Sequence, residues 1–239
     1  MKITTTGIVL YVRPHGESTA IVSVFTPDMG RVKGLVKGAR KKADILQPGN
    51  TVEVTWARRL ESQLGTFYVD CERPVTSKYF DDYTRLSCLQ YVGELLENTL
   101  PDEHPYPELF DVVDRFIHNM PNDKLWANIG LLELEVLKAI GFGLSLEKEE
   151  AVPCPEDSEL FYVSPKSGRA VSRHMGAPYK DKLFLLPHLF GGPKRPKSKD
   201  FLDVFTLTGH FLHQAVYGKP LIARKKLIEL GIESNFNDQ

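Results

Sequence analysis

Between Arg31 and Lys42 the chain carries six cations, Arg31, Lys33, Lys37, Arg40, Lys41 and Lys42, with no acidic residue before Asp44. Side chains of this kind and density neutralise phosphate, lysine as a mobile point charge and arginine as a forked donor. The stretch Gly30 to Gln47, GRVKGLVKGARKKADILQ, reads as a strand that runs into a basic loop and stops at a proline–glycine corner. Alternate residues of a strand share a face, which puts Arg31, Lys33 and Lys37 on one side and Val32, Gly34 and Val36 on the core side. Arg58 and Arg59, at the end of a later strand, extend the cationic track. Tyr11 and Tyr68 are candidates to stack on bases, although barrel aromatics sit more often in the core. A solvated turn also carries such charge runs, so the stretch alone does not decide between the two.

Residue types that carry catalysis do not fall into patterns elsewhere. No glycine-rich loop ends in Gly-Lys-Ser or Gly-Lys-Thr, and Gly141-Phe142-Gly143 lacks the third glycine of a dinucleotide loop. His210 and His213 lie three apart on an expected helix, but no paired cysteine or further ligand completes a metal set. Cys71, Cys88 and Cys154 are odd in number and unpatterned, which argues for free thiols in a reducing compartment. The scattered Ser, His and Asp residues give nucleophilic catalysis no support. The expectation is a binding protein, not an enzyme.

The elements that must position these groups follow from the pattern along 239 residues, of which 42% are hydrophobic. No run approaches the roughly 18 apolar residues of a membrane span, and the alternating N-terminus lacks a signal-peptide core. The net charge of −1 conceals a segregation. Residues 1–78 hold 12 lysines and arginines against 7 acidic residues, residues 79–160 hold 5 against 18, and the remainder 13 against 6. A polyanion is therefore expected at the two ends of the sequence rather than its middle.

The first third reads as β structure: Ile3–Val12, Ala20–Thr26, the basic stretch, Thr51–Arg58 and Thr66–Cys71, punctuated by Pro14-His15-Gly16 and Pro27-Asp28-Met29-Gly30. Five short strands joined by tight turns fit an oligonucleotide-binding barrel, with an SH3-like barrel as the alternative. From Ser77, a candidate cap, the period becomes helical through Leu86, Leu89, Gly93, Leu96 and Leu100. A second helix is expected from Pro107, and a third from an Asn122 cap to Ile140, stopped by Gly141. Residues 144–197 are irregular, with a hairpin turning at Ser164–Gly168. A helix capped by Ser198 and a short helix from Ala223 to Leu230, ended by Gly231, complete the chain. The expected architecture is α+β: residues 1–78 an OB-type barrel, residues 79–239 a helical domain with an irregular hairpin insert at about 144–197.

The opening Thr5-Thr6-Gly7-Ile8-Val9-Leu10, the basic GRVKGLVKGARKK, the LQPG corner of Leu46 to Gly49, the leucine-rich helix after it and the hairpin YVSPKSGRAVSR together resemble the bacterial RecO family of recombination mediators, in order and over essentially the whole chain. The resemblance implies an N-terminal oligonucleotide-binding barrel and a C-terminal helical domain in a cytoplasmic, nucleoid-associated DNA-repair protein. It further implies binding to single- and double-stranded DNA, annealing of complementary strands, and, with RecR, loading of RecA onto DNA coated by single-strand-binding protein. The alternative is a generic RNA-binding barrel protein. The acidic, apolar tail of the single-strand-binding protein calls for an apolar groove with a cationic rim. Arg224, Lys225 and Lys226 are the first candidates for that rim, and the loop from Lys194 to Lys199 the next.

The resemblance implies that residues 1–78 are the DNA-binding domain and that the insert is a small zinc-ribbon-like hairpin lacking the metal ligands, and it is at this insert that the sequence departs from the wider family. Where many members carry two cysteine pairs, this chain has Glu150, Pro153, Ser172 and Met175, and it looks most like the proteobacterial branch that has lost the zinc site. Cys154 and His174 are two ligands, which do not make a structural site, so Phe161, Tyr162, Val163, Val171 and Tyr179 are expected to hold the hairpin by packing. No cofactor is expected. Elemental analysis of the purified protein should find no stoichiometric zinc; about one tightly held zinc per chain would contradict this reading.

Overall fold

The computed structural model describes residues 2–60, 63–120, 124–148, 150–153 and 159–236. The chain groups into two compact units, one of residues 1–120 with 221–227, the other of 121–220 with 228–239. The change from strand to helix falls where the sequence places it, near residue 78, whereas the compact units divide after Met120. The expected Asn122 cap and Cys154 lie outside the described residues.

In the first unit β1 (Lys2–Pro14), β2 (Thr19–Thr26), β3 (Gly30–Lys37), β4 (Thr51–Ala57) and β5 (Thr66–Arg73) form a closed barrel in the order β1-β2-β3-β5-β4. Closure depends on the length of β1. Its first half pairs with β4, from Lys2 opposite Ala57 to Ile8 opposite Thr51, and its second half with β2, with a bulge between Val9 and Tyr11. The short parallel contact of Leu35 with Thr66 and Val36 with Phe67 shuts the other seam. Val9, Val22, Val24, Val32, Val36, Val52, Val54, Trp56, Phe67 and Val69 fill the interior, as strand alternation requires. Gly34 lets the Phe67 ring lie against β3, since a Cβ there would stand 2.4 Å from it. Thr51, which alternation with the inward Val52 and Val54 would turn outward, is instead buried.

The LQPG corner joins barrel to helices. Asn50, buried after Gly49, donates to the carbonyls of Asp44 and Ile45 and accepts from the backbone N–H of Thr76. After the single turn α1 (Val75–Lys78), the helix α2 (Tyr83–Thr99) starts six residues later than Ser77. Its cap is Asp82, whose side chain accepts from the Arg85 N–H, while the Ser77 hydroxyl is spent on the carbonyl of Pro74. Burial opposes ionisation of Asp82, but the hydrogen bonds and charge of Arg85 outweigh it and hold the carboxyl below its usual range. Cys88, Leu89, Tyr91, Val92, Leu95 and Leu96 are all but fully buried, and burial pushes the Cys88 thiol up to about 12. The helix α3 (Pro107–His118) begins at the expected proline.

The second unit contains α4 (Leu125–Ala139), a three-stranded sheet of β6 (Leu160–Val163), β7 (Ala170–Ser172) and β8 (Phe184–Leu185) in the order β7-β6-β8, the short α5 (Arg173–Gly176), and α6 (Lys197–Ala215) packed on α4. The hairpin forms as expected, and β8 adds a strand too short for a sequence signal. Tyr162, Val163, Ala170 and Val171 are buried, whereas Tyr179 is 61% exposed and holds nothing. Arg169 fastens the insert, donating to the carbonyls of Glu150 and Ala151. Ser198 is not the cap of α6 but lies buried inside its first turn, after Pro196. The helix α7 (Ile222–Phe236) runs through Gly231 instead of stopping there, because that glycine lets Phe201 and Trp126 approach its backbone; a Cβ would stand 2.4 Å and 3.2 Å from their rings. Among the described residues no helix is long and apolar enough to cross a membrane.

Gly93 fixes how closely α2 lies on β1, since a Cβ there would meet the carbonyl oxygen of Leu10 at 2.3 Å. Gly93→Ala should destabilise the protein by about 1–3 kcal/mol through overpacking, read as a lower urea midpoint at unchanged slope.

Candidate nucleic-acid interface

Strand register decides which side chains share the outer face of the barrel. Arg13, Ile21, Leu35 and Thr66 stand opposite one another across β1, β2, β3 and β5, and Tyr11, Ser23 and Lys33 form the neighbouring row. Lys37 and Tyr68 each follow the last paired residues of β3 and β5, Val36 and Phe67, and so continue the same face. Tyr11 is 51% and Tyr68 62% exposed, so neither joins the core, and the half-buried Ile21 and Leu35 lie between their strands. The result is an outer face with an apolar strip flanked by two open phenol rings.

Cations gather at one end of this strip. Lys37 pairs with Thr19 beside the β1–β2 turn, and the Ala39 N–H donates to the carbonyl of Ser18, so the single 3-10 turn Ala39–Lys42 is anchored to that same turn. Gly38 makes this possible with a left-handed φ of 67°. Lys37, Arg40 and Lys41 are exposed, and their side chains make no hydrogen bond or ion pair among the described residues. Arg13 joins them as an exposed cation two residues past Tyr11 on the same strand face, a spacing that the sequence already contained. The loop after β4 reaches the strip from β5, where the Leu35 N–H donates to the carbonyl of Gly65, and carries the exposed Arg59.

Four of the cations expected on this track are committed elsewhere. Arg31 is buried: its guanidinium contacts Glu97 on α2 and Asp102 at 2.9 Å each and donates through Nε to the carbonyl of Leu100. Lys33 meets the same Glu97 at 2.9 Å. Lys42 bonds the carbonyl of Val69 and approaches Asp70, and Arg58 lies 4.0 Å over the Trp56 ring with a bidentate bond to Glu103. The alternation expected of β3 is correct, but its outer face is not freely cationic at Arg31 and Lys33, because Glu97 of α2 and Asp102 just after it supply carboxylates. Burial alone would raise the Glu97 pKa; hydrogen bonds from Ser23 and Lys33 and the charge of Arg31 overcome this and hold it below the usual carboxylate range.

The partner candidates occupy the first turns of α7. Lys225 and Lys226 are exposed and Arg224 half-buried, while the Glu94 carboxylate on α2 accepts from the backbone N–H groups of Ile222, Ala223 and Arg224 at 2.8, 2.9 and 3.3 Å. A second feature was not foreseen in full. In the second unit a cleft of about 220 Å³ is lined by Trp126, Leu189, Phe201, Val204 and Phe205, with Lys124, Lys197 and Asp200 among its walls, and Lys197 belongs to the second basic stretch singled out in the sequence. His210 does not face His213; it bonds the carbonyl of Pro165 and packs against Phe184 and Phe211, and among the described residues no cluster of His, Cys, Asp or Glu is placed to hold a metal ion.

Residues 1–72 match the family described as Recombination protein O N terminal, and residues 81–225 match Recombination protein O C terminal. Among curated relatives, a DNA repair protein RecO of Rhizobium etli (strain CIAT 652) is 42% identical over 222 residues, spanning 88% of this chain and 83% of its own. One from Sinorhizobium medicae (strain WSM419) is 38% identical over 224 residues, and one from Rhodospirillum centenum (strain ATCC 51521 / SW) 36% over 220, each spanning 91% of this chain and 88% of its own.

The two classes of cation should separate experimentally. Arg31→Ala removes the buried guanidinium and leaves the half-buried Glu97 with only Ser23 and Lys33, and should cost about 1–3 kcal/mol of stability. Because the Glu97 pKa is lowered on folding, its contribution is fully present above the ordinary carboxylate range and is lost as pH falls through the folded value. Glu97→Gln should therefore flatten the decline of stability below about pH 5. Urea unfolding across pH checks both; an Arg31→Ala protein of wild-type stability would contradict the burial argument.

Proposed function

The chain belongs to the RecO family of DNA-repair proteins, and from that premise we propose that it is a non-enzymatic recombination mediator that binds single- and double-stranded DNA and anneals complementary strands. One observation carries the reading: Tyr11 and Tyr68 stand open on the barrel face at whose end Lys37 and the 3-10 turn with Arg40 and Lys41 are exposed. Annealing needs two polyanions brought together while their base edges stay available. Cations at the end of the strip neutralise phosphate; phenol rings hold bases by their faces, which every base offers, and leave the pairing edges free. The Arg31–Glu97 network does not bind DNA in this reading but keeps the sheet rigid beneath it.

In the same reading the protein works with RecR to load RecA onto DNA coated by single-strand-binding protein. The acidic, apolar tail of the latter docks on an apolar floor with a lysine rim. Of the two basic stretches considered, the one containing Lys197 adjoins such a floor, formed by Trp126, Phe201 and Phe205. Arg224, Lys225 and Lys226 remain the alternative rim.

The test is annealing of complementary strands pre-coated with single-strand-binding protein. If roughly four to six phosphates are neutralised, log affinity for single strands should fall against log salt with a slope near −3 to −4, from about −0.7 per phosphate. The variant Lys37→Ala, Arg40→Ala, Lys41→Ala should bind all sequences more weakly, show a shallower slope and anneal more slowly, at unchanged unfolding midpoint. Wild-type affinity and slope in that folded variant would place the DNA path elsewhere, and annealing of RNA in preference to DNA would favour the general RNA-binding alternative.

A further inference from the structure

We propose that the small sheet of the second unit carries a second phosphate-contacting surface, centred on Phe161, that holds a nucleic-acid strand independently of the barrel. Residues 160–199 contain nine lysines and arginines and one acidic residue, Asp181. Two stretches supply most of them: Arg173 to Lys182, which links β7 to β8, and Lys194 to Lys199, which enters α6. Tertiary structure brings these stretches to one place. The Arg173 guanidinium lies 3.9 Å from the centroid of the Phe161 ring and that of Arg195 5.1 Å from it, so a single aromatic side chain on β6 pins both basic segments.

Carboxylates near this surface answer the arginines and not the lysines. Glu159 holds Arg173 at 2.8 Å and Asp203 holds Arg195 at 3.0 Å, while Asp200 accepts from the backbone N–H groups of His188 and Leu189. Lys180, Lys182 and Lys194 are exposed and make no ion pair among the described residues. Tyr179, the side chain the sequence assigns to packing, stands 61% exposed immediately before Lys180. Open lysines beside an open aromatic ring repeat the composition of the barrel face and suit a single strand, whose phosphates and base faces both find a partner. An acidic peptide would instead seek a concave apolar floor, such as the separate cleft around Trp126.

The surface deepens the annealing function proposed above and rests on it for its purpose, since an annealing chain with two such surfaces holds two strands at once. The test is a titration with a short fluorescent oligothymidylate at low salt, on wild type and on Lys180→Glu, Lys182→Glu, Lys194→Glu. Wild type should saturate at two strands per chain and the variant at one, with annealing slowed about tenfold or more as phosphate contacts are lost. The barrel variant should lose the other strand. One strand per wild-type chain, or two per chain in the charge-reversed variant, overturns the proposal. Loss of tail-peptide binding alone, with two strands retained, assigns the surface to an acidic protein and overturns it equally. Two strands bound without annealing would leave the surface standing and remove the annealing function instead.

Discussion

A guanidinium taken out of water must be met by carboxylates and carbonyls, and Arg31 is the point at which this chain accepts that obligation. The barrel strand β3 presents it outward, α2 closes over it, and Glu97, Asp102 and the carbonyl of Leu100 satisfy it. The pairing restrains much that surrounds it. Glu97 also gathers Ser23 from β2 and Lys33 from β3, so one carboxylate joins two strands to one helix. Removing Arg31 leaves Glu97 with only Ser23 and Lys33, and removing Glu97 leaves the buried guanidinium with only Asp102 and the carbonyl of Leu100, a larger penalty than the loss of a surface ion pair.

This constraint sets the boundary of the proposed binding face. The same strand that is held under α2 at Arg31 and Lys33 emerges into solvent by Lys37, where the β1–β2 turn and the 3-10 turn meet. The free cations therefore sit at the end of β3 and in the turn after it, on a backbone whose other end is immobilised. Rigidity below and mobile charge above suit contact with a flexible polyanion, which adapts its own backbone to a fixed row of sites. Glu94, one helical turn before Glu97, acts on backbone instead of side chains: its carboxylate satisfies the first N–H groups of α7, a position where negative charge is favoured by the helix dipole.

The helical boundaries show where local signals compete. Ser77 and Ser198 both have the composition of a cap, yet α2 is capped by Asp82 and α6 starts after a proline. A hydroxyl near a helix start caps it only if the chain direction brings it over the first N–H groups; Ser77 sits in a separate short turn that prevents this. Gly231 illustrates the reverse case. Glycine ends helices when its conformational freedom is used, but here its missing side chain is what matters, because the rings of Phe201 and Trp126 occupy the space.

The barrel, its strand order in sequence, the change to helix near residue 78 and the hairpin around Ser164–Gly168 were determined locally, by alternation, turn residues and helical period, which depend on neighbours a few residues away. Sequence also determined that the chain is rich in cations at both ends and poor in catalytic patterns. It did not determine which cations reach solvent. Arg31 and Lys41 are equivalent as letters in one basic stretch, and only the packing of α2, some sixty residues further on, buries the first and leaves the second exposed. Tyr11 and Tyr68 likewise suit a core or a surface by type; strand register and the bulge after Val9 place both outside. Phe161 gains its two arginines from segments that share no local pattern with it. Accessibility is a property of what lies opposite a residue in space, and that partner belongs to another part of the chain.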